Sequence, residues 1–450
     1  MRRKRRIAMQ IKGFLWGTIA FFMIGQTIAL AEEKKSDLLF DIVDAGESKE
    51  FGMPISPWKT ITLDPEYSGD WVVTGDVDGD GQADIVSARN VNNDDVHYTS
   101  AVSAQRLDGS VIWRWGDPQV GRKNLHHDVA CQIYDWDGDG RNEVVVLGDK
   151  QLIELDGATG KEKRRLPIPP EASDSLVFAN LSGGPRATDF LVKTRYTQIW
   201  AYNREGKLLW TVREPGGYRT SHQARPIDLD GDGLDEIAAG YAMLNHNGTV
   251  RWVFQSKQAD LSRGHLDAIR VLRAGKTPKD ARLALTCCGA NNITLIDGEG
   301  NPLWEISGYH FESIQIGDAF PALAGTNILV DIDHQPKGKS PLWILGENGE
   351  RLGQIVTDYS RHHEWIDWTG DDACEIANAY NHALYNNQGK RIATFSLDGP
   401  GGYLLLGDMT GDGLGDAAIT AENRVHIFKN EKKKPADASS LGCGVNFTLY

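Results

Sequence analysis

The sequence predicts an all-β fold: a β-propeller of eight four-stranded antiparallel blades, with seven blades the alternative if one unit is misread. Composition is the first reason, because 49 Gly and 13 Trp against 6 Met describe a turn-rich β protein. An internal repeat is the second. An apolar run, an Asp-x-Asp/Thr-Gly-Asp loop, an acid and a second apolar run recur at 76–84, 135–143, 228–236, 367–375 and 408–416. Weaker copies at 175–193, 268–287 and 313–331 keep the apolar runs without the acids. Third, hairpin signals follow the copies, often with a Trp behind them: Asp108-Gly109 before Trp113, Asn247-Gly248 before Trp252, Asp297-Gly298 before Trp304.

Taken in chain order, Arg2 to Arg6 and Lys12 precede an apolar run that ends in Ala29-Leu30-Ala31. That order reads 1–31 as a signal peptide cut after Ala31, hence a secreted or periplasmic chain with no membrane span after cleavage. Residues 32–64 form an N-terminal segment able to close a ring, 65–430 the propeller and 431–450 a tail that is the other candidate for closure. Between the first and last copies the spacing averages about 47 residues, the length of one blade. Radial closure of such blades removes exposed sheet edges and gives each Trp a neighbouring blade to pack on. The expected product is a monomer. Cys131, Cys287, Cys288, Cys374 and Cys443 are too few and too irregularly spaced for a disulfide framework. A net charge of −14 excludes nucleic acid as a partner for the whole surface.

The acidic loops offer side-chain oxygens at positions one, three, five and nine, the pattern that wraps a hard cation. Asp76, Asp78, Asp80 and Asp84 fit it, as do Asp135, Asp137, Asp139 and Glu143, and Asp228, Asp230, Asp232 and Glu236. Asp408, Asp412 and Asp416 form a weaker set, with Thr410 in place of one acid. Crowded carboxylates repel one another unless a cation neutralises them, so structural Ca2+ is expected at several loops. The loops resemble the FG-GAP/VCBS-type calcium repeats of secreted propellers.

Strand alternation puts these loops and the hairpin turns at one end of every blade. The linkers between blades and the connections between second and third strands lie at the other end. That second end is basic and aromatic: His126 and His127, then Lys193, Arg195 and Tyr196, then Arg213, Arg219 and His222, then His265, His310 and His363. Clustered guanidinium, imidazole and phenol groups predict a site for an anionic ligand. They suit β-elimination from a uronate polysaccharide, which needs a cation at the sugar carboxylate, a base and an acid. A glycosidase would want two acids across the bond.

Asn124-Leu-His126-His127-Asp128, Lys193-Thr-Arg195-Tyr196 and Arg213 resemble the secreted β-propeller polysaccharide lyases, both the ulvan and the rhamnogalacturonan groups. Their substrates are acidic polysaccharides in which a uronate is linked to rhamnose. The resemblance implies His127 and Tyr196 as the acid–base pair, with Arg213 or Arg219 neutralising the carboxylate. It implies His126, Arg195, His222, His265 and His363 as substrate-binding groups. Two other readings stay open: a non-catalytic, calcium-dependent adhesin or carbohydrate-binding propeller, and Zn2+ at Cys287-Cys288 with nearby histidines.

Overall fold

A computed structural model describes residues 38–43, 52–93, 96–123, 131–172, 174–323, 325–333, 339–357, 362–371 and 373–432, all within one compact unit. They form eight sheets: six of four strands and two carrying a fifth. The blades begin, in order, with Trp71–Gly75, Cys131–Tyr134, Ser175–Ala179, Thr220–Ile227, His265–Arg273, His310–Gly317, His363–Ile366 and Leu404–Gly407. Within a blade, consecutive strands pair antiparallel from that first strand outward. First strands of successive blades adjoin one another, which sets them around the axis. The eight-bladed propeller read from the repeats is the architecture observed. No helix among the described residues is long and apolar enough to cross a membrane.

Period-two alternation builds the core, since successive side chains on a strand face opposite neighbouring blades. In Glu143–Gly148, Val144 and Val146 pack towards blade 1 beside Trp71 and Val102, whereas Val145 and Leu147 pack towards blade 3 beside Leu176 and Phe190. Similar clusters fill the other interfaces; between blades 8 and 1, Ile61, Val72 and Ile85 meet Val425 and Ile427.

The first strands among the described residues gird the last three blades. Phe40–Val43 adds in parallel to the outer edge of blade 6 and Met53–Ile55 to that of blade 7. Lys59–Thr62 pairs antiparallel with Arg424–Phe428 and is the fourth strand of blade 8.

Outer strands are tied to the next blade by one repeated contact. The indoles of Trp113, Trp210, Trp252 and Trp304 donate to the carbonyls of Gly157, His246, Gly298 and Glu347, each in the following blade's turn. Each ring lies on a turn glycine of positive φ: Gly160, Gly248, Gly300 and Gly349. A Cβ at Gly160 would come within 2.5 Å of Trp113. Blade 6 has Gly353 where blades 1, 3, 4 and 5 carry Trp, and the ring of Phe40 lies across that glycine and onto Gly389 of blade 7. The N-terminal strand thus supplies the aromatic plug that blade 6 lacks.

Phe40→Ala is expected to cost about 2–3 kcal/mol, read as a lower Tm by calorimetry. Gly353→Trp should recover part of that loss in the Phe40→Ala background and destabilise the otherwise unchanged chain. Equal effects of Gly353→Trp in both backgrounds would mean that the two rings do not share one slot.

Candidate functional site

At the end carrying the hairpin turns, the acidic loops hold themselves in shape. The position-one carboxylate accepts from two loop N–H groups, as Asp76 does from Gly79 at 2.7 Å and Gly81 at 3.0 Å. Both glycines have φ near +80°, so side chains there would be strained. The position-nine carboxylate accepts from the N–H at position two: Asp84 from Val77, Glu143 from Trp136, Glu236 from Leu229, Glu375 from Trp368 and Asp416 from Met409. Asp189 and Asn327 make the same closure in two of the repeats without acidic loops.

Ligand oxygens of Asp76, Asp78 and Asp84 lie within 4.8 Å of one another, as do those of Asp135, Asp137 and Glu143 and of Asp228, Asp230 and Glu236. These groups can hold a metal ion. Asp80, Asp139 and Asp232 turn back to accept from Gln82, Arg141 and Leu234. Asp412 pairs with Lys429 at 3.0 Å, and Asp408 spends its oxygens on Gly411, Asp412 and Gly413.

The chain also supplies cations of its own. Lys163 Nζ lies 2.5 Å from Asp137 and 2.7 Å from Glu143, and Arg251 lies 2.9 Å from Asp230 and 2.8 Å from Glu236. Carboxylate crowding is therefore relieved in part from within. In the first loop Arg106 reaches Asp78. Burial, with the charges of Asp78 and Asp80, pushes Asp84 up to about 6.

At the opposite end, the second-to-third-strand turn of blade 3 is built on Thr194. Its hydroxyl accepts from Thr197 and Gln198 at 2.9 Å, which leaves Arg195 and Tyr196 at the tip. The Tyr196 carbonyl accepts from Thr220 N, fixing the start of the blade 4 first strand. That strand and the next two each break register near their mouth ends, between Thr220 and Arg225, Leu266 and Ala268, and Phe311 and Ile314. His222, Asp267 and Glu312 sit in these irregularities, which re-aim side chains away from strict alternation.

Five of the residues expected at this end converge. The Tyr196 ring lies 5.4 Å from His222 and 4.5 Å from His265, and those imidazoles lie 4.9 Å apart. Arg195 and Arg219 stand 5.3 and 5.8 Å from the Tyr196 ring, and Arg195 Nε donates to Tyr196 Oη at 3.0 Å. Arg213 does not join them: it is exposed on the outer strand Leu208–Arg213, beside Gln198. Glu214 at φ +43° and the turn Pro215–Gly217 carry the chain from that edge back to the axis, so only Arg219 arrives there. His363 is buried at the start of blade 7. His126 and His127 lie outside the described residues.

Acids are present at this end too, contrary to the division of charge expected from the sequence. Asp267, 3% exposed, sits 3.0 Å from His265 Nε2 and 3.5 Å from His222 Nε2. His222, His265 and Asp267 place ligand atoms within 4.8 Å of one another. His265 Nδ1 and Asp267 Oδ2 are buried without a hydrogen-bond partner. Two imidazoles and a carboxylate suit a borderline divalent cation.

Next in the ring, His310 meets Glu312 at 3.0 Å and Cys288 Sγ at 3.4 Å. Glu312 holds the His310 pKa above the usual imidazole range. The signal for these acids was in the sequence: His265-Leu-Asp267, His310-Phe-Glu312 and His362-His-Glu364 share one spacing at three successive first strands. Cys287 faces the core beside Leu285, its thiol pushed up by burial. Among the described residues, no three-ligand metal group includes Cys287 or Cys288.

Deeper on the first strands, Arg225 and Arg270 of blades 4 and 5 and Glu364 of blade 7 interact electrostatically. Arg225 and Arg270 repel, and burial outweighs the attraction between Arg270 and Glu364, lifting Glu364 to about 8 and lowering Arg270 to about 10.

No family model matches. The chain is 28% identical over 375 residues to the rhamnogalacturonan endolyase YesW of Bacillus subtilis (strain 168), covering 68% of this chain and 56% of that one. It is 26% identical over 266 residues to the exolyase YesX of the same organism, covering 46% of this chain and 42% of that one. The chain therefore spans about half the length of the curated relatives it matches. Among solved structures, Bacillus licheniformis rhamnogalacturonan lyase PL11 superposes with a TM-score of 0.61 at 21% identity, over 84% of this chain and 75% of that one. That likeness shows the fold.

Glu364 generates a pH test. Its carboxyl holds its proton to a higher pH when folded than when unfolded, so its share of stability is full at low pH. That share is lost as pH rises from the ordinary carboxyl range through about 8. Glu364→Gln should flatten this fall, which is on the order of a few kcal/mol, in denaturant titrations across that range. Identical pH profiles for the two proteins would contradict the assignment.

Proposed function

We propose that the chain is a polysaccharide lyase cleaving rhamnogalacturonan at its galacturonate residues by β-elimination. The observation that carries this reading is the convergence of Arg195, Arg219, Tyr196, His222 and His265 around the axial mouth. The names of the curated relatives supply the substrate class.

In this reaction the C5–H bond breaks, a C4–C5 double bond forms and the C4–O bond breaks, the leaving oxygen taking a proton. Positive charge at the uronate carboxylate stabilises the carbanion-like transition state and so acidifies that C–H. Arg219, with Arg195 beside it, is the neutralising group, and Arg213 is set aside. Tyr196 is one proton-transfer group. Its phenolic oxygen accepts from Arg195 and keeps its own proton for another acceptor. His127 is its partner in the assignment made from the sequence. His222, His265 and Asp267 would hold a divalent cation, which would add a further charge facing the carboxylate.

Calcium in the loops of blades 1, 2 and 4 is proposed as structural reinforcement of turns that the backbone already shapes. Export through the signal peptide 1–31 agrees with Cys374, which is disulfide-bonded, chemistry that an oxidising compartment preserves.

Incubation with rhamnogalacturonan, polygalacturonate and ulvan should release unsaturated uronide from rhamnogalacturonan, followed by ultraviolet absorbance. Tyr196→Phe is expected to lower kcat by roughly 100-fold or more without moving Tm. Arg219→Ala should lower kcat/KM by at least about tenfold, and Arg213→Ala by less than about twofold. Binding with no unsaturated product on any uronate polymer would leave a carbohydrate-binding propeller instead. Chelation should lower Tm and added calcium restore it; an unmoved Tm would remove the structural ions.

A further inference from the structure

The hairpin of blade 1 is longer than its counterparts. Asp84–Asn93 and Val96–Gln105 have ten residues each, against six in Glu143–Gly148 and five in Asp189–Lys193. Four extra residue pairs project the tip about 13 Å further. The hairpin breaks register between Arg89 and Asn90, where a strand bends. Its base is held there: Arg89 donates to the carbonyls of Glu66 and Gly121, and Asn90 pairs with Arg122 through both backbone groups.

Beyond the bend, the arm reaches past blade 2 to blade 3. His97, 1% exposed, places Nδ1 2.6 Å from Asp174 Oδ1. Asp174 is itself fully buried and meets Lys193 Nζ at 3.5 Å, and Lys193 donates to the Arg195 carbonyl at 2.5 Å. The other imidazole nitrogen, Nε2, faces Arg195 Nη1 at 3.4 Å. A carboxylate accepts only, so Asp174 places the imidazole proton on Nδ1 and leaves Nε2 as an acceptor. Arg195 is therefore held at both ends, its guanidinium by His97 and its backbone by Lys193. Its Nε–H is left aimed at Tyr196 Oη.

We propose that His97 is a positioning residue: carried in by the blade 1 arm and set in one tautomer by Asp174, it orients Arg195 and, through it, Tyr196. The proposal rests on the lyase reading for its catalytic consequence, but not for its geometry. Buried polar partners in a closed chain specify one arrangement, and an error of an ångström at the reacting groups can cost roughly a hundredfold in rate.

Two isosteric variants separate the halves of the relay. His97→Asn keeps a donor towards Asp174 and removes the acceptor for Arg195. His97→Gln places an amide oxygen near the lost Nε2. The direct readout is the Arg195 side-chain Nε–H resonance, assigned by its loss in Arg195→Lys and followed by hydrogen exchange. His97→Asn should speed its exchange by at least about tenfold, with Tm within a few degrees of the parent, and His97→Gln should restore most of the protection. In the lyase assay His97→Asn should lower kcat about 10- to 100-fold with a smaller change in KM, and His97→Gln should recover most of it.

Unchanged Arg195 exchange in His97→Asn overturns the proposal, as does equal loss in both variants. Should His97→Asn fail to fold, Asp174→Asn with the same exchange readout takes its place, and protection as strong as in the parent overturns the proposal. A parent chain that shows the exchange effect but cleaves no polysaccharide would sink the lyase reading alone.

Discussion

Each blade begins at the axis, and its four strands alternate in direction; together these facts decide where everything else lies. Every first strand starts at the same end, so the opening residues of eight blades meet in one place whatever their separation along the chain. Arg219, His222 and His265 come from the openings of blades 4 and 5 and Arg195 from a second-to-third-strand turn at the same end, so all four reach a common mouth. The same alternation sends the acidic loops to the opposite end. Two chemistries that would compete at close range are thereby kept apart.

The scaffold tolerates this because its stability is made elsewhere. Interfaces between blades are filled by apolar clusters, and four outer strands are tied to the next blade by indoles lying on turn glycines. Turn shape at the acidic end comes from one carboxylate or amide closing on a backbone N–H, repeated in blades with and without acidic loops. Register breaks at the mouth ends of the first strands of blades 4, 5 and 6 then re-aim side chains there. Desolvation of Arg225, Arg270 and Glu364 shows the expense of placing charges so near the axis.

Much of this was legible in the sequence, because the repeat has a local origin. The eight units, the two-ended division of loops and the gathering of Tyr196, Arg195, Arg219, His222 and His265 follow from spacing and alternation. Contacts that join distant segments did not show. Phe40 filling the place of a missing Trp at Gly353, and the reach of His97 to Asp174, depend on three-dimensional neighbours. Arg213 and Arg219 share a linker, and only the left-handed Glu214 and the turn after it decide which of them arrives at the axis. Asp267 and Glu312 were visible two residues beyond their histidines, but assigning acids to the far end hid them. Asp189 and Asn327 escaped notice because the repeat was defined by crowded acids, whereas its shared element is a single oxygen at position nine.

The most direct test is a crystal structure of the protein soaked with digalacturonate. The account predicts a sugar carboxylate at the axial mouth, within hydrogen-bond reach of Arg195 or Arg219, with the ring beside Tyr196. Density for the sugar only at the acidic end or on an outer blade edge, with the mouth empty at saturating ligand, would contradict it.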